Sequence, residues 1–218
     1  ADANDPASYD FTLTDEYLES IMGVGTKVFY RLGSKIEHSS KKYGVNPPPD
    51  FQKWAVICEH IIRHYTEGWA NGFHYDIEYW EIWNEPDGFA DDAPAEKKTC
   101  WGGTREQFCE FFDVAARHLK RCFPDKKIGG PAVCFPLTDW ARYFLNYLRA
   151  HETPLDFFSW HIYANNPLRV AEVEREARAM LDSCGFEKTE SILNEWGAGP
   201  KLRGTAQEAS YVAAMMCA

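Results

Sequence analysis

Two glutamates dominate the chemistry this chain could do. Glu85 follows the run IEYWEIWN and Glu195 follows ESILN, so each stands at the end of a β-rich segment, directly after an asparagine (Asn84, Asn194). Two carboxyl groups delivered from separate strand ends suit cleavage of a glycosidic bond. One protonates the departing oxygen, and the other attacks or supports an oxocarbenium-like anomeric carbon. Pro86 sharpens the presentation, because it turns the chain immediately after Glu85.

Other polar residues fall around these two. His161 lies two residues before Tyr163 at the end of DFFSWHIY, so a strand would point both side chains to the same face. Glu81 shares the parity of Glu85 but sits deeper; a buried carboxylate needs a partner, and Arg31 on the preceding strand is the natural one. Glu37 and His38, in the loop after that strand, either touch substrate or are simply solvated. Asp87 is expected to brace the turn after Pro86. His60 and His64 have i, i+4 spacing on a helix without a third ligand and read as partly exposed; no metal and no cofactor is implied.

The elements that must position these residues alternate between short β-rich runs and longer helical ones, the signature of βα units on a parallel sheet. Strands are expected at residues 27–33, 77–84, 127–133, 156–163 and 190–195. A leading helix is expected at about 14–22. Asp50 caps a helix with Phe51, Trp54, Ala55, Cys58, Ile62 and Tyr65 on one face. Thr104 with Gln107 makes a capping box before Phe108, Phe111 and Phe112. Leu137–Ala150 forms a shorter helix. Asn166-Pro167 opens another that Gly185 stops, and Thr205 with Glu208 begins the last. An eight-stranded (β/α)8 barrel needs about 250 residues. The chain is therefore read as a single domain over 1–218, an incomplete TIM-type barrel of about five βα units.

Composition narrows the partners. A net charge of −10 opposes binding to nucleic acid and to anionic membranes, and no apolar run is long enough to span a bilayer. Seven scattered cysteines without CxxC pairs read as mostly reduced core thiols and lean towards a reducing compartment. The chain opens at ADANDP and stops within a helical pattern, so both natural ends are expected to be missing.

The motifs resemble those of the clan A glycoside hydrolases. YWEIWNEPDG is similar to their strand-four motif and ILNEWG to their strand-seven motif. The order of WNEPD, KRCFPDKKIGGPAV, DFFSWHIY and NEW most resembles family 39, the β-xylosidase and α-L-iduronidase family, over roughly residues 12–200. The resemblance implies strands three to seven of a (β/α)8 barrel, with Glu85 as general acid/base and Glu195 as nucleophile of a retaining reaction. It implies that Asn84 binds the sugar 2-hydroxyl, and that His161 or Tyr163 borders and orients the nucleophile. An acid must hold its proton, so apolar surroundings such as Trp83 and Phe89 are expected to raise the pKa of Glu85. A nucleophile needs donors around it, and His161, Tyr163 and Trp196 are available. Retention places the two carboxyl groups about 5–5.5 Å apart. The strands absent here usually supply an arginine near the nucleophile, and nothing in the chain clearly replaces it.

The substrate implied is a glycoside or oligosaccharide, a β-linked xyloside first. An incomplete barrel exposes two sheet edges and interior apolar surface, so a homo-oligomer is expected, and with it a second reading: a folded fragment of low activity, or a sugar-binding remnant. A third is an unrelated doubly wound domain, which requires switched strand order and well-separated glutamates.

Overall fold

The computed structural model describes every residue except 34, 35, 37 and 218, so Glu37 lies outside the described residues. Among the described residues five strands form one sheet: β1 (Phe29–Leu32), β2 (Tyr79–Ile82), β3 (Lys127–Val133), β4 (Phe157–Tyr163) and β5 (Glu190–Gly197). They are hydrogen-bonded in sequence order, and every neighbouring pair is parallel. Sequential order without a switch is that of a barrel wall, not of a doubly wound sheet. The fold is an incomplete (β/α)8 barrel whose free edges are β1 and β5.

Helices separate the strands: α1 (Thr12–Met22) before β1, then α2 (Phe51–Glu67), α3 (Arg105–Cys122), α4 (Asp139–Ala150), α5 (Pro167–Ser183) and α6 (Ala206–Cys217). Their ends follow the caps legible in the sequence. Asp50 accepts from the Lys53 amide, Thr104 and Gln107 complete the capping box, and Asn166 accepts from Leu168 ahead of Pro167. α4 starts two residues later than the expected Leu137, because Thr138 caps it through the Ala141 amide. α3 buries Phe108, Phe111 and Phe112 completely, each worth roughly 1.5–3 kcal/mol of transfer free energy. His60 and His64 are buried, contrary to the partial exposure expected. The His64 ring stacks on Phe11 at 3.7 Å, and its nitrogens face Trp69 O at 2.8 Å and Asp15 Oδ1 at 3.0 Å.

Strand register sorts the side chains into an inner and an outer face. Phe29 pairs with Tyr79, and Arg31 with Glu81. On the inner side, Phe29, Tyr79 and Phe157 form the lowest layer, with ring centroids 5.2–5.6 Å apart. Gly129 lets that layer close, since a Cβ there would lie 2.2 Å from the Phe157 carbonyl oxygen. Higher up, the register between β4 and β5 shifts: Trp160 pairs with Leu193 but His161 with Glu195, leaving Asn194 as the extra residue. That bulge re-aims the end of β5 next to the site.

Candidate active site

The C-terminal ends of β1, β2, β4 and β5 converge on one polar cluster. Glu81 is fully buried. It pairs with the Arg31 guanidinium and accepts from Asn194 Nδ2 at 2.7 Å. The Arg31–Glu81 pair is the one expected, whereas the Asn194 contact exists only because of the bulge. Arg31 also reaches 3.9 Å from Glu195 Oε2 and 3.5 Å from His161 Nε2. A cation does stand beside Glu195, supplied by a strand that is present. Sequence reasoning assigned Arg31 to Glu81 alone; the parallel register that places both on one face was the signal for more.

His161 is completely buried between the two glutamates. Its Nδ1 lies 2.9 Å from Glu85 Oε1 and 3.7 Å from Glu195 Oε2. Because a guanidinium only donates, the ring nitrogen facing Arg31 is the lone-pair nitrogen, and Nδ1 carries the proton shared towards the carboxylates. One oxygen of Glu85, one of Glu195 and a ring nitrogen of His161 all lie within 4.8 Å of one another. Tyr163 OH donates to Glu195 Oε1 at 2.8 Å, and that bond to a carboxylate is the main reason its phenol is pushed up to about 12. His161 and Tyr163 thus share one face, as strand parity requires.

The surroundings of Glu85 differ from those expected. Trp83 turns outward, donating from Nε1 to Cys100 O at 2.9 Å and packing against Trp101 and Phe111. Phe89 is exposed. In place of an apolar wall, Glu85 meets the His161 donor, the Cys134 thiol and the field of Arg31. Foremost through the His161 hydrogen bond, and against the opposing effect of burial, its pKa is lowered from the ordinary glutamate value. The expected upward shift is therefore overturned, because the chain leaves β2 through Trp83 at φ 74° and Glu85 at φ 46°, conformations that turn the indole away.

The loop bearing Glu85 is strapped to the end of β3. The Glu85 amide donates to Ala132 O at 2.9 Å, and the Cys134 amide donates to Asp87 Oδ1 at 2.9 Å. Asp87 braces two loops, not only its own turn. Burial, countered in part by that amide, raises its pKa from 3.8 to about 6. The Cys100 and Cys134 thiols beside Glu85 were not anticipated as site neighbours; Cys100 Sγ is 3.9 Å from Glu85 Oε2.

Asn84 is buried, with Nδ2 4.0 Å from Cys100 Sγ. The Oδ1 atoms of Asn84 and Asn194 have no partner among the described residues. A buried amide oxygen left open costs free energy unless a ligand fills it. Trp196 is not brought to the carboxylates. It pairs with Ile162 on β4 and its ring lies 6.2 Å from that of Tyr211 on α6, on the face of β5 opposite Glu195. His38 is exposed.

Glu85, Glu195 and His161 could also surround a cation, with the Arg31 guanidinium close by, 3.9 Å from Glu195 and 3.5 Å from His161 Nε2. The arrangement suits acid/base and nucleophilic work by two close carboxyl groups.

Known proteins match this chain throughout. The β-xylosidase of Geobacillus stearothermophilus is 27% identical over 169 residues, covering 72% of this chain and 31% of that protein. The β-xylosidase of Caldicellulosiruptor saccharolyticus is 22% identical, covering 96% of this chain and 45% of its own length. A glucosidase structure from Croceicoccus marinus superposes with a TM-score of 0.85 at 33% identity, covering 99% of this chain and 44% of that one. The chain thus spans less than half the length of these relatives. The profile of glycosyl hydrolases family 39 matches residues 1–211, and the chain belongs to that family.

Proposed function

We propose that this chain carries the two catalytic carboxyl groups of a retaining glycoside hydrolase acting on β-linked glycosides. The observation that carries the reading is the spacing of Glu85 and Glu195, whose oxygens approach within 4.8 Å across His161. That fits the short separation of about 5–5.5 Å typical of retaining enzymes and falls well under the 6.5–9.5 Å of inverting ones. In the first step Glu195 attacks the anomeric carbon while Glu85 gives its proton to the departing oxygen. In the second, Glu85 takes a proton from water, which attacks the same carbon and releases Glu195. Arg31 faces the Glu195 carboxyl group at 3.9 Å and the Tyr163 hydroxyl donates to it at 2.8 Å, and together they orient it for attack. The open Oδ1 of Asn84 is available to accept from a sugar hydroxyl. A lowered pKa at Glu85 suits its role as base, so the acid step falls off as pH rises through a value below the ordinary glutamate range. A β-xyloside is the first substrate, because the curated relatives are β-xylosidases. A glucoside is second, given the glucosidase structure at 33% identity.

A second reading rests on the free edges. Beside β1, a groove of about 620 Å³ is lined by Tyr17, Leu18, Ile21, Val24, Val28 and Phe29. Such an apolar edge favours self-association of a folded segment that turns over slowly on its own.

One experiment separates the readings. The full chain is sized by light scattering and incubated with aryl β-xylosides and β-glucosides, beside Glu85→Gln and Glu195→Gln. Hydrolysis lost in both variants, with the β-anomer as first product, supports the catalytic reading; hydrolysis that survives in both overturns it. A folded multimer without turnover supports the second.

A further inference from the structure

Away from the strand ends, α2 and α3 assemble a second set of donor atoms. Glu59 on α2 and His118 and Cys122 on α3 bring a carboxylate oxygen, a ring nitrogen and a sulfur within 4.8 Å of one another. His118 and Cys122 are one helical turn apart, so they project from the same face. His118 Nε2 is 2.6 Å from Glu59 Oε2 and 3.8 Å from Cys122 Sγ. Around tetrahedral zinc, with Zn–N about 2.0–2.1 Å and Zn–S about 2.3 Å, nitrogen and sulfur ligands sit roughly 3.5 Å apart. The sulfur edge is already near that length, and the carboxylate needs to withdraw by less than about 1 Å to match a nitrogen–oxygen edge.

We propose that Glu59, His118 and Cys122 form a binding site for a zinc-like divalent cation, with a fourth position open to solvent. Nitrogen, thiolate sulfur and a single carboxylate oxygen are ligands that zinc accepts together. Glu59 Oε1 is taken by Arg63 Nε at 2.9 Å, which leaves Oε2 as the one oxygen offered. Arg63 is itself paired with Glu67, so its charge is offset. The side chain of His118 is 8% exposed and that of Glu59 16%, a setting that strengthens coordination yet leaves an entry path. Two changes accompany binding. The Cys122 thiol releases its proton to water, and the His118 ring proton moves from Nε2 to Nδ1. Nδ1 faces Gln52 Nε2 at 2.9 Å, and a half-turn of that amide offers Oε1 as acceptor for the relocated proton. Arg121, 3.0 Å from Nδ1, opposes that tautomer and must swing outward. This inference does not depend on the proposed hydrolytic function.

Cobalt(II) is the probe, because a thiolate ligand gives it an intense charge-transfer band. Titrating the full chain with Co²⁺ under reducing conditions should raise that band to saturation at one equivalent, and Zn²⁺ should abolish it. Cys122→Ser, with the other six cysteines intact, should lose the band while keeping the far-ultraviolet circular dichroism of the parent. Arg121→Ala should tighten Zn²⁺ binding, because the guanidinium that opposes the metal-binding tautomer of His118 is gone. No thiolate band, or a band that persists in Cys122→Ser, overturns the site.

Discussion

The two ends of the same five strands are built on opposite terms. At the N-terminal ends, Phe29, Tyr79 and Phe157 close an aromatic layer. The carboxylate there, Glu190, is matched by the Lys127 ammonium at 2.7 Å and the Tyr79 hydroxyl at 2.9 Å. At the C-terminal ends, Glu81, Glu85 and Glu195 share Arg31 and His161. Two asparagine carbonyls there are left open, and Trp83, Glu85 and Ala132 all take positive φ. Satisfied pairs and close rings make the lower end a stabilising plug. The upper end holds more negative charge than its cations neutralise, together with strained backbone, which is the usual mark of a site that a ligand completes.

Substitutions can break this contrast. The largest effect is expected at the plug: Phe157→Ala empties a fully buried ring and should cost about 4 kcal/mol in a denaturant titration. Turnover per folded molecule should stay near the parent's, and a matching loss of turnover would show that the two ends are not separable. Next comes Arg31→Leu, which strands Glu81 in the interior without its cation. About 3 kcal/mol of stability should go, since one partner of a buried pair remains charged. Unlike the plug variant, it should also shift the pH dependence of turnover, because Glu195 loses a cation 3.9 Å away. A stability loss with an unmoved pH profile would reduce Arg31 to a structural partner.

The smallest effect sharpens the comparison. Asp87 has its folded pKa raised to about 6, so its ionisation opposes folding. The stability it favours is complete below the unfolded aspartate value near 3.8 and is lost as pH rises through about 6. Asp87→Asn keeps an acceptor for the Cys134 amide and removes the charge. Thermal unfolding should therefore show the variant gaining on the parent between pH 4 and 7, by on the order of 1 kcal/mol after solvent screening. A difference independent of pH would assign Asp87 to geometry alone.

Much of the fold was legible because helix ends are written locally. Asp50, Thr104 with Gln107, and Asn166-Pro167 satisfy amides within a turn, so residue types suffice. Strand existence followed from β-rich runs; parity placed His161 with Tyr163, and the need of a buried carboxylate for a cation on the neighbouring strand placed Arg31 with Glu81. Strand bounds at β1 and β2 shrank by one or two residues at each end, because pairing with neighbours decides where a strand stops.

By itself, then, the sequence determined the alternation of strands and helices, the caps, and the two glutamates at strand ends. Those depend on local hydrogen bonding and on a periodicity of two or 3.6 residues. Only the tertiary structure decided the electrostatics of the site. Whether Glu85 meets an indole or an imidazole depends on the φ angle of Trp83. Whether Asn194 reaches Glu81 depends on a bulge between β4 and β5. Whether Trp196 faces the carboxylates or helix α6 depends on which side of β5 the bulge leaves it. Each is a long-range juxtaposition, and a pKa responds to what lies within a few ångströms in space, not to what lies nearby in the chain.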